Sequence, residues 1–371
     1  MRIILFYHSL LSDWNHGNAH FLRGYAAELQ ERGHDVFIYE PSDGWSLKNL
    51  IREHGDLPIR DFRNAYPRLQ SVVYHPRFLN LELVLSDADL VIVHEWNDPD
   101  LVAEIGNCRK KMGNFRLFFH DTHHRSVTNP EAMRAYDLSH YDGVLAFGET
   151  IRQIYLKNGW AKNVWTWHEA ADVRTFYPRK QQRLEGDLVW IGNWGDGERK
   201  AELEEFLLQP ASEAGIRTRI YGVRFPNEAR EAIDRAGIEF GGWLPNYKVP
   251  AVFTNYCATV HVPRRPYAEK LAGIPTIRMF EAMACGIPLI SAPWNDCEEL
   301  FRPDDYLLAR NKREMRDHLW TVLNDKDFAE NLAARALETI RERHTCAHRV
   351  DQLLSICEPF GLSTRASAIA S

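Results

Sequence analysis

Short apolar runs alternate with stretches of helical periodicity along most of the chain. In the first half the runs are IILFYH (3–8), DVFIYE (35–40), LVIVHE (90–95), RLFFHD (116–121), GVLAFG (143–148) and NVWTWH (163–168). Between the first two lies HFLRGYAAELQERG, where Phe21, Leu22, Tyr25, Ala26 and Leu29 recur at helical spacing and Gly33 closes the helix. That is one βαβ unit, and the continued alternation predicts an α/β protein with parallel sheets.

The pattern breaks at RTFYPRKQQRLEGD (174–187), where a proline, a run of bases and glutamines, and a glycine mark a linker. A second set of runs follows: LVWIG (188–192), RTRIYG (217–222), IEFGG (238–242), ATVHV (258–262), PLISA (288–292) and YLLAR (306–310). Two Rossmann-like βαβ domains in tandem are therefore expected, at 1–175 and 188–345, joined by 176–187 and facing each other across a cleft. The segment from Met315 to His344 reads as helical, and so does VDQLLSI after it; a last helix over 346–360 is expected to pack back on the first domain. The tail 361–371 is small and polar and is expected to be flexible.

Composition narrows the classes. Net charge is −6 with acids and bases interspersed, so no nucleic-acid surface is expected. Six scattered cysteines without a CxxC pair make neither a disulfide framework nor a zinc site, and fit a reducing cytoplasm. The opening MRIILFYHSL has one basic residue and a short apolar run. It reads as a buried strand rather than a signal peptide, and no transmembrane segment is expected, though peripheral membrane contact stays open.

One apolar stretch carries a carboxylate in its middle. In IPTIRMFEAMACGIPLIS, Thr276 is placed to cap a helix that runs to about Cys285, with Gly286 ending it and Glu281 inside it. The N–H groups at Gly273, Ile274 and Thr276, around Pro275, then form an anion site at a helix N-terminus. Glu281 lies about 7 Å further along the axis at 1.5 Å per residue, where the ribose of a bound diphosphate would fall and a carboxylate would accept from two hydroxyls. An i,i+3 ion pair of Arg278 with Glu281 explains the same residues without a ligand.

Two further features flank possible ligand edges. WIGNWGDGERK ends a strand in Gly192, Asn193, Gly195 and Gly197; its GxxGxG spacing is not the dinucleotide fingerprint. Asp196 and Glu198 there would repel phosphate, while Arg199 and Lys200 would offset them; an ordinary strand–helix turn is the alternative. HVPRRPYAEK places Arg264 and Arg265 beyond a strand's carboxyl end, where open α/β sheets bind ligands.

These motifs, with GGWLPNYKVPAVFTNYCATVHVP and GIPTIRMFEAMACGIPLISAPWNDCEELF, resemble the donor half of the group 1 glycosyltransferases, and more closely the spore-maturation-protein CgeB-type branch. WNHGNAHFLRGYAAELQERGHDVFIYEP, YDGVLAFGETIRQIYLKNG and HEAADVRTFYP are similar to that branch's first half and crossover. The resemblance implies a GT-B fold, with the acceptor on the first domain and a nucleotide-diphosphate sugar on the second. It implies a hexosyltransferase-like enzyme acting on a glycan, lipid or protein acceptor, with no cofactor and no catalytic metal. It gives Glu281 the ribose-binding role, and turns Gly273 to Thr276 toward the diphosphate. Where many members carry a second, sugar-side glutamate, this chain has Gly273. A nucleotide-sugar epimerase and a non-catalytic nucleotide-sugar binding protein are the competing readings.

Glycosyl transfer needs charge against the leaving diphosphate and activation of an acceptor hydroxyl. Arg199, Lys200, Arg264 and Arg278 are the candidates for the first. For the second, His120 and Asp121 in HDTHHR are the first choices, as a base and the carboxylate that holds its tautomer, and His16, beside Gly17 and Asn18 in the loop after the first strand, is a further catalytic candidate. A polar surface loop is the alternative there, and the histidines lack the Cys or Glu spacing of a metal site. Asn15, Gly17 and Asn18 are expected on the acceptor side. Trp165 and Trp167 offer either sugar stacking or core packing.

Overall fold

The apolar runs become strands of two parallel sheets. In the computed structural model, which describes residues 1–15, 17–180 and 183–362, the first sheet holds β1 (Arg2–Phe6), β2 (Asp35–Pro41), β3 (Ser71–Tyr74), β4 (Leu90–His94), β5 (Arg116–Asp121), β6 (Gly143–Ala146) and β7 (Val164–Thr166). Its order is β3-β2-β1-β4-β5-β6-β7. The second sheet holds β8 (Gly186–Ile191), β9 (Thr218–Tyr221), β10 (Glu239–Gly242), β11 (Tyr256–His261), β12 (Leu289–Ser291) and β13 (Leu307–Leu308), in the order β10-β9-β8-β11-β12-β13. All pairings are parallel, as strands linked by helical crossovers require.

Both orders reverse direction once, between β1 and β4 and between β8 and β11. A sheet that reverses leaves a crevice at the carboxyl ends of the two strands flanking the switch. The loops after β1, β4, β8 and β11 therefore define where ligands enter, and they meet one another: Asn15 after β1 accepts from Asn193 Nδ2 after β8 at 2.6 Å.

Residues of both domains share cores. Leu271 and Ile274 of the second domain sit in the apolar cluster under β4 and β5, and Thr150 Oγ1 donates to Ala272 O at 2.7 Å. The helix Cys346–Cys357 lies on the helix Asn18–Glu31 of the first domain. Trp167 Nε1 donates to Arg349 O at 2.8 Å and Arg349 Nε donates to His168 O at 2.9 Å, so the returning helix is tied to the crossover.

The strand missed in the sequence is β3, an edge strand whose Val72 and Val73 are exposed. The stretch read as linker already contains the start of β8 at Gly186. The long helical segment after Met315 is broken at Asp325, whose side chain accepts from Phe328 N at 2.9 Å and caps a new helix, Lys326–Arg343. No helix among the described residues is long and apolar enough to cross a membrane. Most of the tail, 363–371, lies outside the described residues.

Candidate functional site

The turn after β8 is built to fold an arginine back over itself. Gly195, Asp196 and Gly197 all have positive φ (+91°, +53°, +83°), which two glycines make inexpensive. A Cβ on Gly195 would stand 2.6 Å from Arg199 Cγ, so glycine also leaves room for that side chain. Arg199 Nη2 donates to Asn193 O at 2.6 Å and to Asn193 Oδ1 at 2.8 Å, and Nη1 donates to Val262 O at 3.0 Å. Arg264 Nη2 donates to the same Asn193 Oδ1 at 3.0 Å, while its Nη1 pairs with Glu198 at 2.9 Å.

Three guanidinium groups thus gather at one place. Burial, and then Arg264 and Arg278, push the Arg199 pKa down to about 9. Arg278 has Glu281 and Arg264 has Glu198. Arg199 has only carbonyl oxygens among the described residues, with no carboxylate at ion-pair distance. Excess positive charge held by neutral acceptors is what an anion would relieve. Lys200 does not join them; it pairs with Glu228 on the exposed face at 3.2 Å.

The helix Ile277–Cys285 begins after Thr276, which is extended and makes no side-chain cap, and ends at Gly286. The N–H groups before it are less available than its sequence suggests. Gly273 N donates to Asn295 O at 2.7 Å and Ile274 N to Leu271 O at 3.3 Å, and Pro275 has none. Of the four residues 273–276, that leaves Thr276 as the N–H for an anion. Ile274 instead packs where a Cβ on Gly148 would be, 2.3 Å away.

Glu281 is completely buried. Its partners are Arg278, Asn246 Nδ2 at 2.6 Å, and His20 Nδ1 at 3.2 Å from the other domain. His20 Nε2 accepts from Asp172 N at 2.8 Å, which leaves the proton of the neutral ring on Nδ1, facing Glu281. Burial pushes the Glu281 pKa up, but Arg278, His20 and Asn246 outweigh it and hold the group below the usual range. Both the ion pair and a charged carboxylate next to the guanidinium cluster are therefore present. Ribose hydroxyls would have to share an acceptor that Arg278 and Asn246 already use, with His20 Nδ1 close by.

On the first domain, Asn15, Gly17 and Asn18 reach the cleft. A Cβ on Gly17 would meet Ile277 Cγ2 at 2.8 Å, so glycine permits the close approach of the two helix N-termini. Asn18 Nδ2 lies 3.4 Å from His94 Nε2. His16 lies outside the described residues.

His120 and Asp121 do not form the expected pair. Neighbours on a strand point to opposite faces. His120 Nδ1 bonds the Tyr7 hydroxyl at 2.6 Å and packs on Trp167, and burial drives its pKa down to about 3. Asp121 turns the other way, accepting from Tyr155 OH at 2.9 Å and His123 N at 3.1 Å, and burial with Glu95 nearby raises its pKa. Neither side chain is exposed, so neither meets an acceptor. The ring of that loop that does cross the cleft is His124, whose Nε2 is 3.4 Å from Glu198. Trp167 is core, and Trp165 packs on Phe118 and Phe360.

Two carboxyl groups in the cleft had no sequence signal. Glu298 stands where a side chain on Gly273 would: a Cβ there would be 2.5 Å from its Oε1. Glu298 accepts from Glu149 N and His168 Nε2, both of the first domain and both at 2.9 Å. It is an interdomain strut with both oxygens engaged. Glu169, on the crossover, is buried beside Glu281 and Arg278, and burial followed by Glu281 raises its pKa to about 8.

Residues 199–355 match the sequence family described as glycosyl transferase-like. No curated protein matches the chain in sequence. Among solved structures, HepE of Anabaena in complex with UDP and glucose is similar at 13% identity and TM-score 0.65, covering 96% of this chain and 99% of that one. Sucrose-phosphate synthase of Thermosynechococcus elongatus is similar at 14% identity and TM-score 0.64, covering 97% and 99%. TarM of S. aureus, in complex with fondaparinux, α-GlcNAc-glycerol and UDP, is similar at 11% identity and TM-score 0.66, covering 96% and 99%. The chain has the GT-B fold, and its second half matches the glycosyl transferase-like family.

Proposed function

We propose that this chain is a cytoplasmic glycosyltransferase of the CgeB-like branch. It moves a hexose from a nucleoside-diphosphate sugar to a hydroxyl of a glycan, lipid or protein acceptor, without a metal. The observation that carries the reading is the cluster of Arg199, Arg264 and Arg278 at the start of the helix Ile277–Cys285, between the switch points of two sheets. The neighbours' names support the donor class: HepE is described with UDP-glucose, and TarM with UDP.

Sugar transfer breaks the bond between the anomeric carbon and the diphosphate, and negative charge grows on the departing oxygen. Preorganised guanidinium groups and a helix N-terminus stabilise that charge without reorganising. Asn193 fixes two of the three guanidiniums through one amide oxygen, and Trp190 lies under the Arg199 guanidinium at 5.1 Å. Glu281 would accept from the ribose in place of His20, which belongs to the opposite domain. The acceptor would enter past Asn15, Asn18 and His124.

Incubation with UDP-, GDP- and ADP-sugars is expected to release free nucleoside diphosphate from one of them, faster when cell extract supplies the acceptor. Release with extract that is no faster than without protein would sink the enzymatic reading and favour a binding protein.

A further inference from the structure

Glu169 lies in the cleft, and the donor reading leaves it without a task. It is 7% exposed, and among the described residues no hydrogen bond or ion pair reaches its carboxyl. The charged and titratable groups around it come from the second domain: Glu281 and Arg278 on the helix Ile277–Cys285, and Tyr267 on the short helix Arg265–Glu269. Arg278 is already spent on Glu281. A carboxyl on so largely covered a residue normally has a hydrogen-bond partner. Its neighbour His168 points to Glu298 and its neighbour Ala170 is core, so the position is not one of general polarity.

We propose that Glu169 binds the sugar carried by the nucleotide, through hydrogen bonds to that sugar's hydroxyl groups. This rests on the donor reading above. A carboxylate would be repelled both by Glu281 and by a diphosphate on the guanidinium cluster. The neutral acid has neither problem: its O–H donates to one sugar oxygen and its C=O accepts from another hydroxyl. Its pKa near 8 keeps it in that form at neutral pH, and a bound diphosphate would raise it further. The sugar lies beyond the diphosphate, away from the nucleoside, and Glu169 reaches the site from the opposite domain, beside Arg278. The placement fits a contact to the sugar rather than to the base.

Glutamine mimics the neutral acid in shape and in having both a donor and an acceptor; alanine has neither. The test is titration calorimetry of wild type, Glu169→Ala and Glu169→Gln with UDP and UDP-glucose, GDP and GDP-mannose, and ADP and ADP-glucose. For the pair that binds, Glu169→Ala is expected to weaken the nucleotide sugar about fivefold to twentyfold and to leave the nucleoside diphosphate within about twofold. Glu169→Gln is expected to retain both at pH 7. It should also abolish the alkaline fall in nucleotide-sugar affinity shown by wild type, a change that a purely structural role would not produce. Equal weakening of both ligands by Glu169→Ala, or of neither, overturns the assignment while the donor reading stands. Binding of none of the six by wild type overturns the donor reading first.

Discussion

Glu281→Ala is expected to remove roughly 1–3 kcal/mol of folding stability, because it leaves buried polar groups without their acceptor and the part-exposed Arg278 without its carboxylate. Asn246 Nδ2 and His20 Nδ1, both buried, lose the carboxylate they face, while Arg278, 27% exposed, is left to solvent. Chemical denaturation at pH 7 measures this. The sign with pH follows from the depressed pKa of Glu281: its stabilisation is present above the unfolded value and is lost as pH falls through the folded one. The wild type should therefore approach the variant in acid. The double variant Arg278→Met, Glu281→Met separates structure from ligand. It is expected to recover part of the stability, since apolar groups can replace a buried ion pair. It should not recover nucleotide binding, because it lacks both a guanidinium and the ribose acceptor. Full binding by the double variant would reduce Glu281 to an ion-pair partner.

A second large effect is expected at Glu169, with the opposite dependence on pH. Its folded pKa of about 8 lies above the usual value of 4.5, with burial the main cause and Glu281 the next. Its favourable contribution is full below the unfolded pKa and is lost as pH rises through the folded one. At about 1.4 kcal/mol per pH unit, that gap corresponds to roughly 3–6 kcal/mol between pH 4.5 and pH 9. Glu169→Gln cannot ionise, so it should gain on wild type by that order across the interval. Parallel stability–pH curves for the two proteins would mean that Glu169 titrates normally.

Much of the architecture was legible because strands in parallel sheets are continuous apolar runs. The strand that escaped notice, β3, is an edge with exposed valines. On the second domain, the candidates Arg199, Arg264 and Arg278 are close to each other because each sits at a strand or helix end that the switch point selects. Lys200, next in sequence to Arg199, turns outward as the helix begins. The catalytic pair His120 and Asp121 failed on a rule the sequence itself contains, since adjacent positions on a predicted strand face opposite ways. His20, Asn246, Glu298 and Glu169 carried no local signal. Each acts on a residue far away in sequence, mostly in the other domain, as His20 does on Glu281 and Glu298 on His168.

A bound diphosphate is expected around Arg199, which alone of the three guanidiniums has no carboxylate at ion-pair distance among the described residues. Arg199→Met removes the charge, and relief of repulsion from Arg264 and Arg278 offsets the lost hydrogen bonds, so melting should change little. The direct measurement is calorimetric titration of wild type and Arg199→Met with UDP, GDP and ADP. One nucleotide should bind wild type, and bind the variant about a hundredfold more weakly, as loss of charge-assisted hydrogen bonds to phosphate implies. Equal affinity in the two proteins, or no binding to either, would rule out a diphosphate site at Arg199.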